Sequence, residues 1–409
     1  SSLLFPYAAP LLQPANYGTC TPGEVAGDGL DHQLYGFRVD GSALRQITTA
    51  PSENTEPCYL PGDRICFTSS RCDKFVQCGD WAIVFSLYAM NSDGSDVRPI
   101  TLAKEGEWWP SLLDDGRILY MRWEYVIKPF NTIQYLWTVH PDGTKASLAF
   151  GDHFSFSPGP LTFIEPRQIP GTSKVITTGA AHHNCGVGPI CIVDLDRSRG
   201  DPTGLVRVTP EVRYPETSDT PGPVPARSGW YNSPFPISEF QYLVCYSFDA
   251  AHNAPTGYGI YLTDVHGNKE LIYRDPDRSC YSPIPLRSRP EPPELAETVD
   301  LPASPASGTV LMLDVYQGLD SVPRGTIKYL RVLETISKRS HSTPQRLDVG
   351  IGSGWDPRRI IGTVPVEEDG SVCFEVPANT AIFFEVLDEN YMDVRRMRSY
   401  MNVQPGERV

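Results

Sequence analysis

The sequence has no apolar run of the 18 or more residues that a membrane-spanning helix requires. Its ten cysteines include no Cys-x-x-Cys spacing, which excludes zinc-ribbon, thioredoxin-like and c-type haem attachment motifs from these 409 residues. Basic residues are in the minority, since 35 Lys and Arg face 49 Asp and Glu, for a net charge of −14. An acidic surface repels phosphate backbones, so nucleic acid is not an expected partner.

The sequence also has little room for long helices, because it contains 39 Pro and 34 Gly. Residues of these types interrupt helices and separate short strands. The aromatic fraction is 11%, and aromatic side chains pack well on a pleated sheet. The composition therefore predicts an all-β protein.

One pattern recurs along the chain: a short strand, a turn of the Asp-Gly type, and a second strand that ends near Ile-Thr. The turns of the first three copies contain Asp40, Asp93 and Asp142, so successive copies are 53 and 49 residues apart. A second, turn-led hairpin lies between copies, giving four strands per period. This period is typical of a β-propeller blade.

Five such blades are recognisable, the fourth and fifth beginning at Ile190 and Ile260. A sixth can be assembled from residues 308–313 and 326–332 with help from the N-terminal segment. Six blades are favoured, and seven are the alternative. We predict an N-terminal segment (1–30), a propeller (31–335) and a small C-terminal β-sandwich-like extension (336–409). The Pro-rich residues 283–305 are interpreted as an extended connector over the surface.

The cysteines and the N-terminus suggest export. Cys72 with Cys78 and Cys185 with Cys191 are each separated by five residues, and such short loops are plausible disulfides in an oxidising compartment. Buried free thiols are the alternative. Residues 1–14 lack the basic region of an intact signal peptide, so we interpret Ser1 as a mature N-terminus. The expected location is periplasmic or extracellular.

The adjacent pair His182 and His183 is the strongest local candidate for a catalytic site. One of the two could serve as an acid/base or as a metal or haem ligand, and the alternative is that both are hydrogen-bonded loop histidines. Neighbouring residues of a strand point to opposite faces, so only one would face a central channel.

Two further groups are candidates for binding a cofactor or a metal. Arg122, Glu124 and Tyr125 could line the channel and bind a cofactor, while a buried ion pair is the structural alternative. Asp31, His32 and Cys185 are candidate ligands of a metal ion such as zinc or calcium.

Several phrases, in order along nearly the whole chain, are similar to the hydrazine synthase alpha subunit family, and the hairpins resemble TolB-like propeller repeats. The phrases are residues 63–72, 107–111, 115–125, 181–183, 270–275, 314–319, 364–371 and 404–408.

The resemblance implies a haem-dependent oxidoreductase that works with other protein subunits. In that family the Pro-Gly-Glu-Arg phrase, here residues 405–408, is followed at once by a Cys-x-x-Cys-His haem attachment motif. Residues 1–409 do not contain the motif. Two hypotheses therefore stand: the propeller module of a haem oxidoreductase, or a haem-free propeller that acts as an interaction scaffold.

Overall fold

The fold is almost entirely β, which confirms the predicted class. The computed structural model describes residues 2–7 (backbone only), 32–38, 40, 42–76, 83–124, 134–151, 159–181, 186–197, 199–200, 202–215, 228–250, 254–299, 306–337 and 357–409. Within these ranges the chain forms 25 strands, and the only helix is a three-residue 3-10 turn at Pro202–Gly204. None of the described residues belongs to a helix long and apolar enough to cross a membrane.

The propeller-type sheets are antiparallel meanders that follow one another along the chain. The first contains β1 (Ser2–Tyr7), β2 (Gln33–Arg38) and β3 (Arg45–Gln46), and the second contains β4 (Asn54–Leu60), β5 (Arg64–Ser69), β6 (Ser86–Asn91) and β7 (Arg98–Pro99). The third contains β8 (Gly106–Leu112), β9 (Ile118–Trp123), β10 (Gln134–Val139) and β11 (Ser147–Phe150). The fourth contains β12 (Thr162–Gln168), β13 (Lys174–Ala180), β14 (Ile190–Asp194) and β15 (Leu205–Arg207). A single parallel bridge between Gln134 of β10 and Thr162 of β12 joins the third and fourth meanders into one eight-stranded sheet. The fifth contains β16 (Trp230–Pro236), β17 (Gln241–Ser247), β18 (Gly259–Asp264) and β19 (Lys269–Tyr273).

The first strands of successive sheets contact one another, so these strands form the inner wall of the propeller. Contacts run from β1 to β4, from β4 to β8, from β8 to β12 and from β12 to β16. Apolar residues between neighbouring sheets form the core; for example, Tyr120 and Trp137 pack with Leu87 and Ile100. This radial packing of meanders is the propeller arrangement.

Each of four inner strands contains a bulge of the same design. The bulge residue has φ near +50°, its register with the next strand shifts, and a proline follows it. The four pairs are Glu56-Pro57, Trp109-Pro110, Glu165-Pro166 and Ser233-Pro234. Proline lacks an N–H, so it suits the edge of a sheet, and a bulge bends the strand.

Residues 283–299, the described part of the Pro-rich connector, form no helix or strand and lie over the propeller surface, as predicted. They pass the turns that contain Gly116 and Asp142. Arg287 donates to the carbonyl oxygen of Ile237 on the fifth sheet at 3.1 Å. Further along, Arg98 of the second sheet donates to Glu297 at 2.7 Å. The connector therefore links the fifth sheet to the second and then leads into the C-terminal unit.

The C-terminal unit contains two packed sheets and is sandwich-like, as predicted. One sheet pairs β20 (Ser307–Met312) with β23 (Val372–Pro377), and the other has the order β22 (Arg358–Pro365), β21 (Tyr329–Thr335), β24 (Ile382–Leu387) and β25 (Asp393–Arg396). Phe374 and Phe384 meet edge to face across the core, with ring centroids 5.8 Å apart.

The strands that we assigned to a sixth blade belong to this unit instead, so that assignment was wrong. β20 pairs with β23, and β21 pairs with β22 and β24. The N-terminal strand β1 completes the first sheet by pairing with β2. Local apolar alternation is the same in both settings, and only the long-range pairing distinguishes them. The number of blades in the chain stays a prediction.

Candidate functional site

A buried group of charged and tyrosine side chains lies where the C-terminal unit meets the second and third sheets. We call it the junction cluster. Its members, each no more than 1% exposed, are Lys104, Glu105, Glu107, Tyr120, Arg122, Glu124 and Tyr400. Buried charges are stable only when they are paired and hydrogen-bonded, so this concentration needs mutual compensation.

Arg122 is the centre of the cluster. Its guanidinium lies 3.3 Å from a carboxylate oxygen of Glu124 and 3.8 Å from one of Glu107. It also donates to the backbone carbonyl oxygen of Tyr400 at 2.7 Å and lies 4.2 Å from the ring centroid of Trp137. One side chain of the propeller thus binds two acids of its own sheet and the backbone of the C-terminal unit.

Two hydroxyl groups of the C-terminal unit form hydrogen bonds with the propeller. The backbone N–H of Lys104 donates to the hydroxyl oxygen of Tyr400 at 3.0 Å. The hydroxyl of Ser399 donates to Glu124 at 2.5 Å. The side chains of Lys104 and Glu105 are 3.1 Å apart.

The protonation of the cluster follows from its burial. Burial raises the pKa of Glu107 above its ordinary value, although the nearby guanidinium of Arg122 opposes this shift. Burial alone would lower the pKa of Arg122, but Tyr400 and Glu124 outweigh it and the net shift is upward. Burial lowers the pKa of Lys104, with Glu105 acting in the opposite direction. Arg122 therefore keeps its charge, and the carboxyl group of Glu107 takes up a proton more readily than an exposed glutamate does.

The phrase at residues 404–408 is bound to the propeller beside this cluster. The side-chain amide of Gln404 donates to the carbonyl oxygens of Ile100 and Gly143, each at 3.2 Å. One carboxylate oxygen of Glu407 accepts from the N–H of Lys145 at 2.8 Å, and the other accepts from the N–H of Gln404 at 2.8 Å. The phrase is therefore a docking element that holds the end of the C-terminal unit against the second and third sheets.

Of the predicted site residues, Arg122 and Glu124 are described in full, and they form the buried ion pair that was the structural alternative. Nδ1 of His32 lies 2.5 Å from a carboxylate oxygen of Glu53. The same oxygen accepts a hydrogen bond from the backbone N–H of His32 at 3.0 Å. The others lie outside the described residues: Asp31, Tyr125, His182, His183 and Cys185. Their catalytic, cofactor-binding and metal-binding roles stay predictions.

Two carboxylates on the inner wall were not predicted from the sequence. Glu56 accepts from the backbone N–H of Trp109 at 2.7 Å, and Glu165 accepts from the backbone N–H of Ser233 at 2.5 Å. In each case the acid of one bulge binds the bulge of the next sheet. A proline recurs in every inner strand from β4 to β16, and this recurrence is the sequence signal that could have revealed the two acids that precede it.

The prediction of two disulfide bonds, Cys72 with Cys78 and Cys185 with Cys191, is wrong for this structure. The described cysteines are free thiols, and Cys72 and Cys191 are among them, so neither predicted disulfide is present in this structure. Cys72 instead donates to the carbonyl oxygen of Val84 at 3.1 Å, and Cys191 lies 3.7 Å from the hydroxyl of Tyr214. Both thiols already have polar neighbours inside the sheets, and spacing along the chain could not show this.

The described residues do not fit a covalent haem or a protein-bound metal. The sequence has no pair of cysteines at the spacing that thioether attachment requires. Within the described ranges, no group of three or more His, Cys, Asp or Glu side chains is arranged to hold a metal ion. We therefore assign no chemical step to a haem or a metal ion held by these residues.

Comparison with known proteins supports the resemblance inferred from the sequence. Residues 325–409 match the family model described as the hydrazine synthase alpha subunit middle domain. No curated protein matches the chain.

Among solved structures, Kuenenia stuttgartiensis hydrazine synthase superimposes with a TM-score of 0.71 at 17% identity, over 93% of this chain. The chain spans 59% of the length of that protein. TolB from Acinetobacter baumannii gives a TM-score of 0.39 at 14% identity over 68% of this chain and 54% of its own. A putative TolB from Agrobacterium tumefaciens gives 0.40 at 14% identity over 68% of this chain and 83% of its own. The similarity to the hydrazine synthase alpha subunit is therefore confirmed: residues 325–409 match its middle domain, and the fold of the chain is that of the Kuenenia protein.

Proposed function

We propose that this chain is an extracytoplasmic module of a haem-dependent oxidoreductase related to the hydrazine synthase alpha subunit, acting with other protein subunits. Within it, the propeller holds the C-terminal unit, and with it the polypeptide that follows the Pro-Gly-Glu-Arg phrase, in a fixed position. The docking of Gln404 and Glu407 on the second and third sheets is the observation that carries the proposal.

The contacts of this phrase suit a positioning role. A cofactor site needs supporting groups that are themselves locked by packing and hydrogen bonds. The phrase that precedes the haem motif in the family is here bound through one amide and one carboxylate. Tyr400, a few residues before that phrase, contacts Arg122 through both its backbone carbonyl and its ring. Such anchoring suits a segment whose continuation must be held precisely against the propeller.

The test is expression of the complete gene, directed to the periplasm of a host that matures c-type haem proteins. We expect a Soret band and a covalent haem stain. Gln404→Ala should shift or weaken the Soret band without unfolding the protein, whereas Glu389→Gln, at an exposed turn, should leave it unchanged. A complete gene that encodes no haem motif, with purified protein that shows no Soret band, would overturn the proposal.

A haem-free scaffold is the second candidate, and one observation favours it. The outer strand of the fifth sheet exposes three consecutive apolar side chains, Leu271, Ile272 and Tyr273, each at least half exposed. A free sheet edge with apolar residues is a surface suited to a protein partner. Protein without haem that co-purifies with a stoichiometric partner, and loses it in Ile272→Asp, would support the scaffold.

A further inference from the structure

Two cysteines outside the junction cluster face each other across the first hairpin of the second sheet. Cys58 of β4 and Cys66 of β5 are direct register partners. Directly opposed residues of an antiparallel pair have their side chains on the same face, with Cα atoms about 4.5 or about 5.5 Å apart. Both separations lie within the range of about 4.4–6.8 Å that a disulfide bond spans.

The surroundings favour a bond between these two thiols over other pairings. Cys66 is completely buried in the core between the second and third sheets, and Cys58 packs against that same cluster. Burial raises the pKa of Cys66, and its contact with the Cys58 thiol raises it further. Cys72, the next described cysteine along the chain, is directed to the carbonyl oxygen of Val84.

The two thiols differ in access, which sets the order of events. Cys58 is half-buried, whereas Cys66 is completely buried, so a dissolved oxidant reaches the sulfur of Cys58 more easily. Disulfide exchange depends on the access of the attacking sulfur as well as on its ionisation. Cys58 is therefore placed to react first, and Cys66 to displace the partner.

We propose that Cys58 and Cys66 form a cross-strand disulfide that closes the β4–β5 hairpin when the exported protein meets a disulfide-bearing oxidant. The Cys58 thiolate attacks one sulfur of the oxidant, forming a mixed disulfide and releasing the other sulfur as a thiolate. Cys66 then loses its proton and attacks the Cys58 sulfur, and the oxidant leaves as a dithiol. The chain loses two electrons and two protons, which reduce the oxidant.

The experiment is thiol mapping of the exported full-length protein, denatured and alkylated without reductant before digestion with trypsin. We expect the peptide of residues 46–64 to be linked to that of residues 65–71 and to separate on reduction. Cys66→Ser should leave Cys58 fully alkylated. Cys373→Ser, at an exposed position, should leave the link intact.

A second arm treats protein made in a reducing cytosol with oxidised glutathione, where the same link should form. Full alkylation of both cysteines in the exported protein and after this treatment would overturn the proposal, as would linkage of Cys58 to a different cysteine. The proposal shares only the exported location with the proposed function. Its readout is a peptide mass, so it can fail while the haem spectrum is as expected.

Discussion

The guanidinium of Arg122 lies 3.7 Å from the ring centroid of Tyr400, although the two residues are 278 positions apart. The same guanidinium donates to the backbone carbonyl of Tyr400, so ring and backbone are held together. A cation over an aromatic face contributes most when water is excluded, as it is here. This pair joins the propeller to the C-terminal unit.

We expect Arg122→Ala to destabilise the protein by about 3–5 kcal/mol, because it leaves Glu107 and Glu124 buried without their cation. Arg359→Ala, which removes an exposed partner of Glu334, should cost no more than about 1 kcal/mol. Chemical denaturation of both variants measures the difference. Equal losses would show that Arg122 is not an essential counter-ion.

Gly143→Ala should weaken docking of the C-terminal unit. Gly143 has φ +86°, and a Cβ there would lie 2.5 Å from the carbonyl oxygen of Ile100 and 2.6 Å from the side-chain nitrogen of Gln404. Overpacking of this kind costs about 1–3 kcal/mol beyond the backbone strain. The matched control is Gly171→Ala, which has φ +72° but no neighbour within 4 Å. Limited proteolysis should cut the C-terminal unit faster in Gly143→Ala alone; similar rates in both variants would contradict the prediction.

Asp142 should stabilise the connector in a pH-dependent way. Its carboxylate accepts from the backbone N–H of Thr298 at 2.8 Å and from that of Thr144 at 3.0 Å. Burial opposes ionisation, but the hydrogen bond from the Thr144 hydroxyl, together with those from the two backbone N–H groups, outweighs it and lowers the pKa of Asp142. A lowered folded-state pKa means that the stabilisation is present above the unfolded-state value, about 3.9, and is lost as the pH falls through the folded-state value.

Asp142→Asn should therefore cost about 1.5–3 kcal/mol at pH 7, and the difference from the wild type should shrink below about pH 4. Asp93→Asn is the control, because Asp93 caps the same kind of turn through Ser95 and is exposed. Denaturation curves at both pH values measure the effect. A loss at pH 7 that persists undiminished at low pH would be inconsistent with the charge of Asp142 as its source.

The inner-wall carboxylates should show the cost of an unsatisfied donor. Glu56→Ala removes the acceptor of the Trp109 N–H and should destabilise the protein by about 1–3 kcal/mol. Glu56→Gln keeps an acceptor oxygen in the same place and should lose less. Thermal unfolding of the two variants provides the comparison, and equal losses would point to packing instead of hydrogen bonding.

The repeat of short strands and Asp-Gly turns was sufficient to predict the all-β class, the propeller and the sandwich-like end of the chain. These features depend on local chemistry: turn residues that tolerate positive φ, and side chains that alternate between two faces. The extended connector followed from its prolines for the same reason. The ion pair of Arg122 and Glu124 was also foreseen as an alternative, because Arg and Glu side chains among packed aromatic residues usually pair with each other.

Only the tertiary structure decided which strands belong to which sheet and which charges meet. Residues 308–313 and 326–332 alternate like blade strands, yet their hydrogen-bond partners lie at residues 358–387. Tyr400 and Gln404 carry no local mark of their contacts with the propeller, and Cys58 and Cys66 are joined by register, not by a motif. Contacts between residues hundreds of positions apart depend on how the sheets pack, and a local pattern contains no information about that geometry.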